Sequence, residues 1–339
     1  MAIQREIWQA DIVANLFKGN EFLRHAYNAD QYVLEGKVVH IPQAGAKPKV
    51  VKNRTKFPAE ATRREDTDVT YSLDEYTSDP VHIPHADTVE LSYDKRSSVL
   101  SETQAELNEK TADGLLRNWY PTKAENRLLT TGASVSATTD GATGTRKALT
   151  LADISKVAAR MNKLNVPKAG RYALLPTYMY QQLLDSMTEA QLAAFSRAVD
   201  EKEGVIGKLY GFTFYERSSV LVTDATGALK AEDAAAAATD CEAALFWQTN
   251  SVERALGSVQ FFEDIASATY YGDVYSALVR MGGRIRREDE AGVIAVIQAT
   301  GEASQNDAGT SQAKVAAAKS APKAEEAAGT SEAAEKAGK

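Results

Sequence analysis

The histidines of the chain are the first residues to consider, because imidazole binds metals and transfers protons near neutral pH. They are His25, His40, His82 and His85, and all precede the longest helical pattern. His82 and His85 stand in HIPHAD, where Ile83 and Pro84 keep them off a shared helical face. No cysteine nearby completes a tetrahedral ligand set, so we expect ordinary hydrogen bonding and predict no metal site.

Standard catalytic motifs are missing from the sequence. The segment GVIGKL comes nearest to the phosphate-binding pattern GxxxxGK[ST], but it lacks the first glycine at the required spacing and the terminal hydroxyl. Neither GxSxG nor HExxH occurs. We therefore predict that the chain is not an enzyme and has no cofactor.

Two clusters late in the chain have side chains that recognise ligands. Tyr270, Tyr271 and Tyr275 could form an aromatic platform, but the apolar residues that follow them predict a packed strand. The second cluster is a basic patch of Arg280, Arg284, Arg286 and Arg287. Arg284 and Arg286 point the same way in an extended strand, which suits phosphate contact or salt bridges. Because three acidic residues follow the patch directly, we favour structural pairing.

A long polar segment from Gly45 to Asp87 has its charges sorted by sign. Its basic half contains Lys47, Lys49, Lys52, Arg54, Lys56, Arg63 and Arg64, and its acidic half begins with Glu65, Asp66, Asp68, Asp74 and Glu75. A hairpin over this segment would set the basic half opposite the acidic half. A neighbouring molecule could use the same complementarity. Since a hairpin without an apolar face needs a surface to lie on, we predict that these residues contact another subunit.

Composition limits the class of protein. The chain has 339 residues, 44% hydrophobic content and a net charge of -7, enough for one or two sizeable cores and too acidic for a dedicated phosphate binder. Cys241 is the only cysteine, which fits a reducing cytoplasm better than secretion. No apolar stretch approaches the roughly 20 residues that span a bilayer, so no membrane role is expected.

The elements that would position these residues follow a definite order. A helical arm precedes the charged segment, and Leu100, Leu107, Leu115 and Trp119 then form the narrow apolar stripe of a long helix over 94–120. Ser101 and Gln104 are placed as a capping box for it. Residues 130–147 are rich in Gly, Ser and Thr, which predicts a linker, and a lobe of alternating helices and strands follows.

This order of parts resembles the HK97-fold major capsid proteins of tailed bacteriophages. The resemblance rests on NVPKAGRYALLP with YMYQQLLDS, on GVIGKLYGFTFYERSSV, on ALFWQTNSVERALG and on YYGDVYSALVRMGGRIRREDEAGVIAVI. It implies an α+β fold with an arm at 1–42, an E-loop hairpin at 43–88, a peripheral domain with spine helix and linker at 89–147, an axial domain at 148–275 and return strands to the peripheral domain at 276–299. The composition after Thr300, which has Val315 as its only large aliphatic residue, predicts a disordered tail at 300–339.

The resemblance also implies a function and partners. Such a subunit would assemble through pentamers and hexamers into an icosahedral shell, in the host cytoplasm, and would remain in the virion around double-stranded DNA that it contacts non-specifically. Scaffolding, portal and decoration proteins would be separate partners. Two alternatives stay open: an encapsulin-like nanocompartment shell, and an α/β enzyme or ligand-binding domain with a dimerisation arm.

Overall fold

The structure is a computed structural model, which describes residues 9–10, 12–13, 20–34, 37–43, 50, 52–55, 67–84, 95–200 and 204–301. Its helices are α1 (Lys95–Asn118), α2 (Leu151–Lys163), α3 (Thr177–Asp185) and α4 (Glu189–Ser196). Its strands are β1 (Tyr27–Asn28), β2 (Val33–Leu34), β3 (Val38–Gln43), β4 (Thr67–Ser72), β5 (Asp74–Thr77), β6 (Val81–Pro84), β7 (Arg127–Leu129), β8 (Ser134–Ser136), β9 (Thr145–Lys147), β10 (Arg171–Pro176), β11 (Gly207–Leu209), β12 (Phe212–Arg217), β13 (Leu221–Thr223), β14 (Cys241–Gln248), β15 (Val252–Ser267), β16 (Gly272–Ile285) and β17 (Val293–Ile297).

A first sheet, which we call the peripheral sheet, is built around the long antiparallel pair β15 and β16. Its strand order is β1-β15-β16-β5, and β6 also pairs with β16. Alternate residues of the long pair, such as Phe261, Tyr275 and Val279, are buried in the core beneath α1. Period-two burial of this kind is what a sheet with one covered face requires.

Helix α1 lies along that covered face. Leu107, Leu115 and Trp119 of the predicted stripe are buried there, so the long helix is confirmed. The helix begins at Lys95, which puts Ser101 inside it, and the predicted capping box is therefore wrong. Pro121 follows the end of the helix, where a residue without an amide hydrogen is tolerated.

A second sheet has the order β11-β12-β10-β14-β17-β7, with β13 also pairing with β14. Its central strands are apolar on both faces: Leu245 and Trp247 of β14 pack towards α1, whereas Ala244 and Phe246 pack under the other helices. A strand buried on both faces reads as a continuous apolar run, which explains AALFW and VIAVI. The two sheets therefore share one core.

The division of the strands into two sheets does not coincide with the predicted boundary between the axial domain, which ends at 275, and the return strands, which begin at 276. Strand β15, which begins at Val252, already belongs to the peripheral sheet, and β17 returns to the second sheet between β14 and β7. The physical reason is that all five residues of β17 are buried, so only a central position covers both of its faces.

The predicted linker over 130–147 is also ordered. Strands β8 and β9 form a small hairpin within it, and the buried Arg146 donates hydrogen bonds to the main-chain oxygens of Ala238 and Asp240. A buried guanidinium needs such acceptors, and these tie the segment to the second sheet. Composition alone predicted a linker because nearly all its other residues are small or polar.

The segment around His25, which precedes strand β3, lies against the second sheet. The His25 ring stacks on Tyr172 with centroids 4.1 Å apart, and its Nε2 lies 2.6 Å from the Tyr215 hydroxyl. Trp247 donates its indole N–H to the main-chain oxygen of His25.

The tail predicted after residue 300 lies outside the described residues from 302 onwards. No described helix is long and apolar enough to cross a bilayer.

Candidate functional site

The charged segment forms a hairpin that is shorter than predicted. Strands β3 and β4 pair antiparallel from Val38 opposite Ser72 to Gln43 opposite Thr67, and β2 extends the small sheet. Residues 44–66 connect the two strands in the sequence and include the basic half; we call them the basic loop region. Lys52 and Arg54 are described there and are exposed. Lys47, Lys49, Lys56, Arg63, Arg64, Glu65 and Asp66 lie outside the described residues.

The acidic half does not pair with the basic half in the described residues. Asp68 lies in β4 opposite Pro42, and the residues from 74 to 84 form β5 and β6 on the edge of the peripheral sheet. Glu75 pairs there with Arg280 at 2.8 Å, and Asp74 accepts a hydrogen bond from the Asn118 side chain at 3.1 Å. The predicted hairpin over 45–87 is thus wrong beyond Ser72, because β16 offers β5 and β6 a ladder of hydrogen bonds.

The base of the hairpin is seated on a small apolar cluster of its own chain. Val39 of β3 and Leu73, just after β4, pack with Ala29 and Ala255, and all four are buried. The amide of Leu73 donates to the Lys37 oxygen at 2.8 Å. The strands are therefore anchored at one end, while the loop at the other end has no described apolar partner.

A buried carboxylate lies beside this seat. The Glu253 side chain is fully buried, and its two oxygens lie 2.8 Å from Arg284 Nε and 3.2 Å from Arg286 Nε. Two rings from other segments cover the guanidinium groups: the Arg286 carbon is 3.9 Å from the Tyr27 ring centroid, and the Arg284 carbon is 5.6 Å from that of Tyr71. Such cation–π contacts add to the ion pairs.

Electrostatics around Tyr71 follow from this packing. Burial raises the pKa of Tyr71, and the negative charge of Glu253 raises it further, whereas Arg284 lowers it. The phenol therefore stays neutral beside the carboxylate.

Sequence reasoning singled out Arg284 and Arg286 but missed Glu253, although an acid inside the apolar run SVERALG is a signal that it needs a cationic partner.

All four arginines of the predicted basic patch have a carboxylate partner in this chain. Arg280 pairs with Glu75, Arg284 and Arg286 share Glu253, and Arg287 Nε lies 2.8 Å from Asp289. An arginine already paired in this way has less capacity for phosphate. Of the acids that directly follow the patch, Asp289 accepts from Arg287, and Glu290 instead accepts from the amides of Thr122 and Lys123.

The tyrosine cluster is not a single packed strand. Tyr275 is buried in β16, but Tyr270 and Tyr271 lie in the turn before it and are 56% and 82% exposed. Tyr271 has a positive φ of 53°, which a strand does not adopt. Among the described residues no group of three or more His, Cys, Asp or Glu side chains could hold a metal; His82 is described and exposed, and His85 lies outside that part.

A polar cleft of about 560 Å³ lies between α1, β13 and the loop over 230–240. Three of its four cations pair with acids of the cleft: Lys110 with Glu232, Arg217 with Asp113 and Lys230 with Asp240. The fourth, Arg117, donates to the main-chain oxygen of Lys230. Glu242 also lines the cleft, and burial raises the pKa of its carboxyl. Because most cations of the cleft are already paired within it, the arrangement supports a structural role.

No family model and no curated protein match the chain. Solved structures do match it. They include the capsid of Ralstonia phage GP4 (12% identity, 83% of this chain and 88% of that chain, TM-score 0.56), the capsid of cyanophage P-SCSP1u (16%, 81% and 87%, 0.54) and a structure from Mycobacterium phage Che8 (18%, 81% and 90%, 0.50). At these identities the likeness establishes the fold. The chain therefore has the HK97-like α+β fold of phage capsid subunits, as the order of its elements predicted.

Proposed function

We propose that this chain is the major capsid protein of a tailed bacteriophage, a structural subunit that assembles into an icosahedral shell around the phage genome. The observation that carries the proposal is the hairpin β3–β4. It is anchored at its base in a chain with the capsid fold, and Lys52 and Arg54, which lie between its two strands in the sequence, are exposed. A loop of this kind is suited to lie on a neighbouring subunit.

Assembly would proceed through head-to-tail contacts that close into pentamers and hexamers. Lys52 and Arg54, which are exposed, would meet acidic surface on the neighbour, where charge complementarity sets register and partner choice more than affinity. With arm and loop both reaching neighbours, each subunit would bury more than the ~1,200 to 2,000 Å² of a standard pairwise interface.

The enclosed double-stranded DNA would be contacted weakly and without sequence preference. The net charge of -7 and the internal pairing of Arg280, Arg284, Arg286 and Arg287 both support this. Separate scaffolding and portal proteins, and in some capsids decoration proteins, would complete a particle assembled in the host cytoplasm. The phage capsids among the similar structures favour this reading over a nanocompartment shell.

Size-exclusion chromatography with light scattering tests the proposal on the purified full chain. A capsid subunit gives pentamers, hexamers or megadalton particles, alone or with the neighbouring gene products. A discrete dimer that carries a bound small molecule would instead support the ligand-binding alternative and overturn the proposal.

A further inference from the structure

We infer that Glu253 is a positioning residue, which fixes how the hairpin β3–β4 rests on the peripheral sheet. The inference concerns the fold of one subunit, and only its consequence for assembly rests on the proposed function. Three chain segments that are distant in sequence meet at this one carboxylate. They are β1, the end of β4 and the paired strands β15 and β16.

The backbone register brings the first partners together. Tyr27 of β1 lies beside Glu253 in a parallel pair, and Arg284 of β16 lies opposite Glu253 in an antiparallel pair. Residues in register on adjacent strands share a face of the sheet. Tyr27, Glu253 and Arg284 thus form a row across three strands.

The side chains then extend this row to the hairpin. One oxygen of Glu253 accepts a hydrogen bond from Arg284, and the other lies within ion-pair distance of Arg286. Each arginine lies against one tyrosine ring, so Tyr27 and Tyr71 are both linked to the same carboxylate. Tyr71 belongs to β4, so its contact with Arg284 joins the hairpin to the ion pairs. Without the carboxylate, both guanidinium groups would lose their shared counter-charge, which disfavours their packing against the two rings.

The main chain of Glu253 is held separately from its side chain. Trp119 of α1 donates its indole N–H to the Glu253 oxygen at 3.0 Å, and Val252 and Ala255 on either side are buried. Loss of the carboxylate should therefore release the hairpin while β15 stays in place. This difference separates a positioning role from general stabilisation of the fold.

Hydrogen–deuterium exchange on the dilute, unassembled full chain tests the inference with Glu253→Gln. We expect the amides of β3 and β4 to exchange at least about tenfold faster, while those of β14 and β17 keep their wild-type rates. The matched control is Glu75→Gln, which removes the exposed ion pair to Arg280 on the same sheet and should leave β3 and β4 unchanged.

Wild-type exchange of β3 and β4 in Glu253→Gln would overturn the inference, as would equal acceleration throughout the chain. If that variant does not fold, Tyr71→Leu serves instead, because it keeps both ion pairs and removes only the ring on the hairpin. Unchanged exchange of β3 in Tyr71→Leu would also overturn it. Because the measurement uses unassembled protein, a result that overturns this inference is distinguishable from a failure of the protein to form shells.

Discussion

Trp119 donates its indole N–H to the main-chain oxygen of Glu253, 3.0 Å away, and this bond ties the end of α1 to β15. The contact depends on Gly283 of the neighbouring strand. A Cβ at Gly283 would lie 2.4 Å from that same oxygen and 3.1 Å from the indole nitrogen. A hydrogen atom at this position is therefore a condition for the close approach of helix and sheet.

Gly283→Ala should destabilise the fold by about 1 to 3 kcal/mol, because backbone on one side and a buried indole on the other leave the new methyl group no space. Chemical denaturation measures the loss. Gly282→Ala is the matched control: its methyl would meet the Leu73 Cδ2 at 3.0 Å and the Leu73 Cα at 3.3 Å, so its nearest backbone contact is 0.9 Å longer than the 2.4 Å at Gly283 and the cost should be smaller. Equal costs at the two positions would contradict the packing described.

Asp153→Asn should cost about 2 kcal/mol at neutral pH, because the carboxylate caps α2 and accepts hydrogen bonds from Thr131, Thr150 and Lys156. Burial acts to raise the pKa of Asp153, but those bonds outweigh it and lower the pKa. The stabilisation by Asp153 is thus fully present at pH values above the ordinary carboxyl pKa, and it is lost as the pH falls through the lowered pKa. Urea unfolding of both proteins across acidic pH checks this, and a difference that persists in strong acid would contradict it.

Glu242→Gln should have the opposite effect and stabilise the protein at neutral pH. Burial raises the pKa of Glu242, Asp140 raises it further, and a hydrogen bond from Thr138 lowers it. The wild type therefore loses stability as the pH rises from the carboxyl pKa of the unfolded chain through the raised pKa of the folded protein. Glutamine, which does not ionise, avoids this loss. Thermal melts from pH 4 to pH 8 measure it; a variant less stable than wild type at pH 7 would rule out the expected sign.

Reversing the charge of the basic residues between β3 and β4 tests the proposed interface between subunits. Lys52→Glu, Arg54→Glu and Lys56→Glu together should block assembly while the subunit stays folded, because the described Lys52 and Arg54 are exposed and support no core. Particle yield by sedimentation and folding by circular dichroism give the two readouts. The charge-keeping variant K52R/R54K/K56R should assemble as wild type does, and intact particles from the reversed variant would refute the role of charge.

Local periodicity predicted much of the fold. Leu107, Leu115 and Trp119 predicted α1 from their spacing, and the apolar run of β17 predicted a buried strand. What periodicity does not encode is which strands become neighbours. Glu75 meets Arg280 from a position 205 residues away, and no local pattern contains that pairing.

The candidate site was predicted less completely than the fold. The sorted charges identified the loop with Lys52 and Arg54, yet the acidic residues Asp74 and Glu75 belong to the peripheral sheet. Glu253 reaches Arg284 only because β15 and β16 keep one register at this end, although bulges interrupt it after Leu256 and Asp264. Long-range register depends on tertiary packing, so it lies beyond what composition and spacing contain.

Electron cryo-microscopy of the assembled protein shows directly what the basic segment rests on. We predict closed icosahedral shells of pentamers and hexamers, in which the loop over 44–66 of each subunit lies on an adjacent copy. Particles in which that loop rests on its own subunit and touches no neighbour, or a protein that stays monomeric beside its phage partners, would contradict it.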